Sequence, residues 1–285
     1  MITSTMTGNL GNHMFIYALT RTVAEHNRYE WGFNPSPEYD YHQGKPQMDF
    51  LEIDYGKTHN YKYNETPPWI DHEWGEEYNH FKLAHDTYDF HPHQKDVFDI
   101  EDNTKLFIRC AQDARYYDRE KLREWFRIRE ENKGLYRAQL RENGIVLDEN
   151  LTIINIRGGE YKGVPNLILR KEYWQDAIRI MKEKTPKMKF ICITDDISYA
   201  NNILDFKVPS THLSIAGDYY VINKAKNLIL SNSSFAIFPA WLNKNDPFII
   251  APKYWARHNV STGYWANSDI WTFGWNFLDK EGRIK

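Results

Sequence analysis

Three polar segments in the second half of the chain each follow a short apolar run. They cover residues 157–161, 194–196 and 231–234. The first contains Arg157, whose guanidinium can donate two hydrogen bonds to phosphate oxygens, and two glycines that let backbone N–H groups approach an anion closely. The last contains Ser233 and Ser234 at the start of a helical pattern, where hydroxyls and unpaired N–H groups favour an anion. These residue types predict a site that binds a diphosphate and stabilises it as a leaving group.

Carboxylates accompany the same segments. Asp195, Asp196 and the downstream Asp218 can accept hydrogen bonds from a ribose or from the N1–H and amino group of guanine. Glu160 can serve as general base for an attacking hydroxyl if partial burial raises its pKa. These residues also have purely structural interpretations. An aspartate or serine after a strand fits a helix N-cap, and an arginine there fits a surface ion pair. The chemical interpretation therefore depends on the segments sharing one sheet edge.

Apolar strands alternate with helical patterns throughout this half of the chain. The predicted strands are 152–157, 189–194, 227–231 and 247–251, and the predicted helices are 171–183, 198–204, 219–226 and 235–242. Such alternation predicts a parallel sheet that is covered on both faces. Ligands of these sheets bind at the carboxyl ends of the strands, so the three segments are predicted to open onto one cleft.

The first half begins with a second unit of this type. A strand at 2–6, a tight turn with Gly8 and Gly11, a helix at 12–26 and a strand at 29–33 indicate a Rossmann-like opening. Residues 35–100 lack long periodic patterns and are predicted to form recognition loops. A strand at 105–111 and a strongly charged helical stretch at 118–143 follow. We therefore predict an α/β protein with two Rossmann-like domains facing across a cleft, 1–148 and 149–285, with the aromatic tail from residue 257 packing back across both.

The composition of the chain limits the kinds of partner that it is expected to bind. The 36 basic and 39 acidic residues leave a net charge of −3, which disfavours a nucleic-acid partner. No apolar run approaches the roughly 18 residues of a membrane span, so we predict a cytoplasmic protein without one. Cys110 and Cys192 lie in apolar runs and are predicted to be buried free thiols. Aromatic residues make up 15% of the chain, including 19 Tyr and 10 Trp, and exposed rings of this kind can stack on sugars.

Histidines cluster in the loop region. Seven of the eleven lie between His42 and His93. Clustered histidines can bind zinc, but the sequence has no H-E-x-x-H motif or paired C-x-x-C motifs. We therefore predict solvent-facing loop histidines and no metal site.

The motifs resemble those of one known family. The segment GNLGNHMFIYA, from Gly8 to Ala18, resembles the pattern G-x-L-G-N-Q-M-F-x-Y-A of glycosyltransferase family eleven, the α-1,2-fucosyltransferases. In the family's order, NIRGGEY at 155–161 is similar to H-x-R-R-G-D-Y, ITDD at 193–196 to F-S-D-D, and SNSSF at 231–235 to N-S-S-F. The resemblance covers most of the chain except about 35–100. It implies a GT-B-type fold and inverting transfer from GDP-fucose to a glycan acceptor, without a metal or other cofactor.

The resemblance also implies roles for individual residues. Arg157, Glu160 and Asn12 are the predicted catalytic residues, and Asp218 is predicted to read guanine. The predicted donor site consists of Gly8, Gly11, Asn12, His13, Arg157, Gly159, Asp195, Asp196, Asp218, Asn232, Ser233, Ser234 and Phe235. The first domain is expected to carry the acceptor-binding loops and the second to bind the nucleotide-sugar.

Four positions depart from the family pattern. Asn155, Gly158, Glu160 and His13 replace its His, second Arg, Asp and Gln, respectively. One arginine fewer weakens the positive field on a diphosphate. The sugar donor could therefore be another GDP-sugar or a UDP-sugar, and a non-catalytic glycan-binding protein is the alternative from another class.

Overall fold

The computed structural model describes residues 1–6, 8–34, 47–57, 79–82, 95–108, 111–260 and 272–284. These residues form two compact units, the first ending at Ile128 and the second beginning at Arg129. Each unit contains a parallel β-sheet, which confirms the predicted α/β class. Cys110 and the side chains of the seven histidines from His42 to His93 lie outside the described residues.

The first unit has a four-stranded sheet in the order β2-β1-β4-β3. Its elements are β1 (Ile2–Thr5), α1 (Leu10–Asn27), β2 (Trp31–Asn34), β3 (Asn79–Lys82), β4 (Thr104–Phe107) and α2 (Arg119–Trp125). The predicted strand, glycine turn, helix and strand at its start are all present. Gly8 has a φ of +78°, a value that residues with a side chain rarely adopt, and this turn leads β1 into α1.

A polar and aromatic cluster fixes α1 in this unit. The Arg21 guanidinium lies 4.8 Å from the Trp31 ring centroid and 4.5 Å from that of Trp125. Arg21 also donates a hydrogen bond to the Tyr17 hydroxyl (2.8 Å), which donates to the carbonyl of Asp54 (2.9 Å). Burial raises the pKa of Tyr17 to about 12. The contacts of Tyr17 and Arg21 thus hold α1 against the rest of the unit.

The helical stretch predicted over 118–143 consists of two helices with a break between them. Helix α2 ends at Trp125, and α3 spans Glu130–Glu142. Between them, Ile128 pairs with Leu51 in an antiparallel bridge, and the Arg127 carbonyl accepts a hydrogen bond from the Glu52 N–H (2.7 Å). These partners are distant in sequence, so the helical periodicity of the segment did not reveal the break.

The second unit has a six-stranded parallel sheet in the order β10-β9-β8-β5-β6-β7. Its further elements are β5 (Leu151–Ile156), α4 (Lys171–Lys184), β6 (Lys189–Thr194), α5 (Ile197–Ile203), β7 (Ser210–Thr211), α6 (Ile215–Lys224), β8 (Asn227–Leu230), α7 (Ser234–Trp241), β9 (Phe248–Pro252) and β10 (Asn276–Leu278). Every residue of β5 and β8 is buried, as expected for strands covered on both faces. Cys192 on β6 is a buried free thiol, as predicted.

Helix α3 belongs to the second unit. The ring centroids of Tyr136 on α3 and Tyr220 on α6 are 5.5 Å apart, and the Thr211 hydroxyl donates to Asn143 Oδ1 just after α3 (3.1 Å). The compact units therefore divide between Ile128 and Arg129, whereas the sequence placed the boundary at residue 148. No helix among the described residues is long and apolar enough to cross a membrane.

The described part of the tail extends the second sheet. Residues 276–278 form β10, which pairs in parallel with β9, and Leu278 is fully buried. The ring of Phe273 contacts Trp241 of α7 with centroids 5.4 Å apart. This part of the tail completes one sheet. Residues 261–271 lie outside the described residues, so the expected packing of the tail across both domains stays a prediction.

Candidate anion-binding site

The three polar segments identified from sequence begin at the same edge of the second sheet. Strand β5 lies between β8 and β6, with Ile156 beside Thr194 and Asn155 beside Leu230. All pairings are parallel, so the chain leaves each of these strands at the carboxyl edge. The structure therefore brings the segments after β5, β6 and β8 together, as the strand-end argument required.

Arg157 is held by two carboxylates at this edge. Its guanidinium donates hydrogen bonds to Asp195 and to Glu160 Oε1, the latter at 3.0 Å. The other oxygen of Asp195 accepts from the Gly158 N–H at 2.8 Å, and the guanidinium carbon lies 5.8 Å from the Tyr161 ring centroid. A guanidinium has five N–H groups, so these contacts orient the side chain and leave further N–H groups for a phosphate.

Glu160 is a partner of Arg157 on the protein surface. Its side chain is 63% exposed and forms the ion pair described above. The prediction that it acts as general base required partial burial, and this degree of exposure does not provide it. The observed contact instead suits Glu160 to orienting the guanidinium.

A second ion pair lies beside the first. Lys162 pairs with Asp196, the residue that follows Asp195. Asp196 also accepts a hydrogen bond from the Tyr199 N–H (2.9 Å) and thereby caps α5, so its structural interpretation as an N-cap holds. The hydrogen bond from Lys162 lowers the pKa of Asp196. Lys162 was not among the predicted site residues, because it lies within the turn after the strand rather than at the strand end.

Two glycines let the segment after β5 pack closely against its neighbours. A Cβ atom at Gly159 would lie 2.6 Å from Asp195 Oδ2. One at Gly158 would lie 2.7 Å from the Asp196 Cβ and 2.9 Å from Tyr199 Cδ1. Side-chain atoms do not approach this closely. Both glycines therefore allow the segment after β6 to pack against the segment after β5.

Asn155 and Asn232 connect the strands and loops around the site through hydrogen bonds. Asn155 donates to the Ile193 carbonyl (3.4 Å) and accepts from the Ser231 hydroxyl (3.2 Å), which links β5 to both neighbours. The Asn232 amide donates to the carbonyls of Leu167 (3.0 Å) and Trp255. The amide N–H groups of Asn232 thus fasten two loops. Its predicted contact with the sugar donor stays a prediction.

Helix α7 begins directly at this edge. Ser233 occupies its N-cap position and is buried, and its side chain makes no capping hydrogen bond. Ser234 and Phe235 form the first turn and are half-buried. The cap interpretation therefore does not describe the Ser233 hydroxyl, and the start of α7 keeps the serine hydroxyls and N–H groups on which the anion prediction was based.

Asp218, which was predicted to contact guanine directly, is buried and already hydrogen-bonded within the protein. Its side chain is 6% exposed, and its carboxylate accepts hydrogen bonds from the Leu213 N–H (3.0 Å) and from His212 Nδ1 (2.6 Å). Burial raises the pKa of Asp218, and the hydrogen bond from His212 raises the pKa of that histidine. The His212 side chain is 44% exposed and follows β7 at the carboxyl edge. The exposed member of this pair is therefore His212.

The remaining predicted residues lie on the first unit. Gly8, Gly11, Asn12 and His13 form the turn after β1 and the first turn of α1. The Asn12 side chain packs directly against Gly8, where a Cβ atom would collide with its amide. Asn12 and His13 are half-buried. Their part in sugar-donor binding remains a prediction from the resemblance.

A buried histidine supports the loop that Asn232 holds. His258 is 2% exposed, and its Nδ1 accepts from the Tyr254 N–H (3.3 Å). The next residue, Asn259, accepts from the Arg170 N–H (3.1 Å) and donates to the Ile168 carbonyl (2.9 Å). Burial lowers the pKa of His258 to about 4, because the imidazolium would be desolvated there.

This histidine predicts acid sensitivity. Its pKa is about 4 in the folded chain and about 6.5 when unfolded, so the unfolded chain binds the extra proton. The neutral ring therefore contributes stability above about pH 6.5 that is lost as the pH falls towards 4, up to about 3 kcal/mol. Urea unfolding at a series of pH values should show this loss. His258→Asn, which keeps an acceptor but does not titrate, should flatten the slope; equal slopes in both proteins would contradict it.

Among the described residues, no group of three or more His, Cys, Asp and Glu side chains is placed to hold a metal ion.

A family profile matches most of the chain. The profile described as Glycosyl transferase family 11 matches residues 77–279. This range includes all three polar segments of the second unit and begins after the Gly8 motif. The resemblance drawn from the motifs is thereby confirmed.

Two glycosyltransferases of Escherichia coli are similar to this chain in sequence. An alpha-1,2-colitosyltransferase of Escherichia coli is 26% identical over 275 residues, which is 90% of this chain and 92% of that protein. The O-antigen biosynthesis glycosyltransferase WbnK of Escherichia coli is 27% identical over 137 residues, which is only 44% of this chain and 44% of that protein.

Solved structures share the fold. The α-1,6-fucosyltransferase NodZ from Bradyrhizobium, in crystals soaked with GDP-fucose, has a TM-score of 0.51 at 14% identity over 85% of this chain and 91% of that one. FUT1 of Arabidopsis thaliana in complex with GDP has a TM-score of 0.50 at 12% identity over 87% of this chain and 70% of that one.

Proposed function

We propose that this chain, which belongs to glycosyl transferase family 11, transfers a sugar from a GDP-sugar, with fucose favoured, to a glycan acceptor. Transfer inverts the anomeric carbon and needs no divalent metal. The observation that carries the proposal is the Arg157 guanidinium, oriented by Asp195 and Glu160 at the carboxyl edge of the second sheet. The similarity to an alpha-1,2-colitosyltransferase over 90% of the chain supports a deoxysugar donor of this kind.

The second unit binds the diphosphate in this proposal. Arg157 donates to its oxygens, and the start of α7 at Ser233 and Ser234 adds hydroxyls and N–H groups. The acceptor hydroxyl attacks the anomeric carbon from the face opposite the diphosphate. A new C–O bond forms as the bond to the phosphate oxygen breaks, GDP leaves, and the hydroxyl proton passes to a base. Charge that develops on the leaving diphosphate is stabilised by groups already in place.

His212 and Asp218 recognise the guanine of the GDP-sugar. An ionised carboxylate only accepts hydrogen bonds, so the 2.6 Å contact places a proton on His212 Nδ1 and fixes the orientation of the ring. The half-exposed His212 ring then contacts the guanine, while the buried Asp218 acts as a positioning residue. The role assigned to Asp218 by the resemblance is thus carried out through its partner.

A nucleotide-binding measurement tests the assignment. Calorimetry with GDP, UDP and dTDP should show binding of GDP in preference to the other two. His212→Ala should weaken GDP binding about tenfold, a typical loss for one hydrogen bond, and should leave pyrophosphate binding unchanged.

His26→Ala is the matched control, because His26 is an exposed histidine in the last turn of α1. Binding of UDP but not GDP would reject the GDP-sugar assignment. Equal GDP affinity of His212→Ala and the control would reject the role of the pair.

A further inference from the structure

We infer that Lys162 is a second cation that binds the diphosphate of the sugar donor beside Arg157. The inference rests on the proposed function, since it concerns the same diphosphate. It assigns a binding role to a residue of the turn at Gly159–Gly163, which follows Arg157 directly.

The two cations are arranged as a pair. Arg157 and Lys162 come from the same segment after β5, and they bind Asp195 and Asp196, which are successive residues after β6. The Lys162 N–H donates to the Gly158 carbonyl (3.2 Å), which closes the turn between the two side chains. Both charged groups are therefore held by residues at the edge where β5 and β6 end.

Asp196 holds the ammonium group in place. Its other oxygen accepts the Tyr199 N–H (2.9 Å), so its position is fixed by α5. The Lys162 side chain remains 51% exposed. An ammonium group has three N–H groups, and one contact to Asp196 leaves two that can reach a phosphate. Holding a flexible lysine at the site before the ligand arrives lowers the entropy lost on binding.

Position 158, directly after Arg157, has no room for a charged side chain. A Cβ atom at Gly158 would lie 2.7 Å from the Asp196 Cβ and 2.9 Å from Tyr199 Cδ1. A side chain on the residue after Arg157 therefore cannot be accommodated against the start of α5. The positive charge is supplied four residues later, from a turn that is open to solvent at Lys162.

Lys162 reduces the excess negative charge at this edge. Asp195, Asp196 and Glu160 meet Arg157 and Lys162 there. Without Lys162, one cation would face three carboxylates and an added diphosphate. Repulsion between like charges would then oppose binding.

The test compares nucleotides that differ in phosphate content. Lys162→Gln should weaken GDP binding about tenfold by calorimetry and should leave guanosine binding unchanged. It should also reduce the salt dependence of GDP affinity, since one charge contact is lost. Lys162→Arg should restore at least part of the affinity. The matched control is Lys226→Gln, which breaks an exposed ion pair with Glu149 at the opposite edge of the same sheet.

The outcomes separate this inference from the proposed function. If wild-type protein binds none of the nucleotides, the proposed function fails. If wild-type protein binds GDP and Lys162→Gln binds it as tightly as Lys226→Gln does, the role of Lys162 is overturned. A parallel loss of guanosine and GDP binding with a lower unfolding temperature would also overturn it, because it would show a purely structural ion pair.

Discussion

Replacing Arg157 by alanine is expected to lower the rate of sugar transfer about a hundredfold to a thousandfold, the usual loss when one group that stabilises developing charge is removed. The guanidinium is the cation that two carboxylates orient at the end of β5. Its replacement leaves no arginine within the segment from residue 157 to residue 163. The deficit should appear in kcat/KM for the GDP-sugar and in the affinity for GDP.

The same substitution should change stability little. The Arg157 side chain is 25% exposed and Glu160 is 63% exposed, and ion pairs near the surface contribute about 0–1 kcal/mol. The thermal unfolding profile should therefore remain close to that of the wild type, which separates loss of chemistry from loss of fold.

Arg179→Ala provides the matched control. Arg179 also pairs with two carboxylates, Asp176 and Glu183, but it lies on the outer face of α4 and is 52% exposed. This variant should keep full activity. Retained transfer by Arg157→Ala would remove the central element of the proposed function.

Arg157→Lys tests the geometry of the contact. A lysine keeps the charge but not the planar fork, and it cannot bind Asp195 and Glu160 in the same arrangement. Its activity should lie between those of the wild type and the alanine variant. A fully active lysine variant would show that charge alone suffices.

Long buried strands were predictable from sequence, whereas elements defined by distant partners were not. Strands β5 and β6 are six-residue runs that are mostly apolar, and their carboxyl ends placed Arg157 and Asp195 correctly at one edge. The break between α2 and α3 depends on a bridge to Leu51, far away in the chain. Strand β7 has two residues, too few to show any periodicity.

The site shows the same limit. Residue type and strand position were enough to select Arg157, because both could be read locally. Exposure could not be read locally: Glu160 is largely exposed, and Asp218 is buried behind His212. Lys162 was missed because its role depends on Asp196, a partner that only the pairing of β5 with β6 brings near.

Restoring a second arginine after Arg157 is expected to damage this protein. Gly158→Arg would recreate the arginine pair of the family pattern, but its Cβ would overlap with Asp196 and Tyr199 at the start of α5. Overpacking of this kind costs about 1–3 kcal/mol. Gly158→Ala should already show most of this loss in urea unfolding, because the Cβ atom is responsible for it.

Gly163→Ala is the control within the same turn. Nothing lies within 4 Å of a Cβ atom built there, so this variant should unfold like the wild type. Gly158→Arg should also bind GDP more weakly, since displacing Asp196 frees Lys162 as well. A Gly158→Arg protein with unchanged stability and tighter GDP binding would show that α5 yields to the side chain. If the loss occurs as expected, Gly158 and Lys162 are linked: close packing of α5 excludes charge from one position, and the turn supplies it from the other.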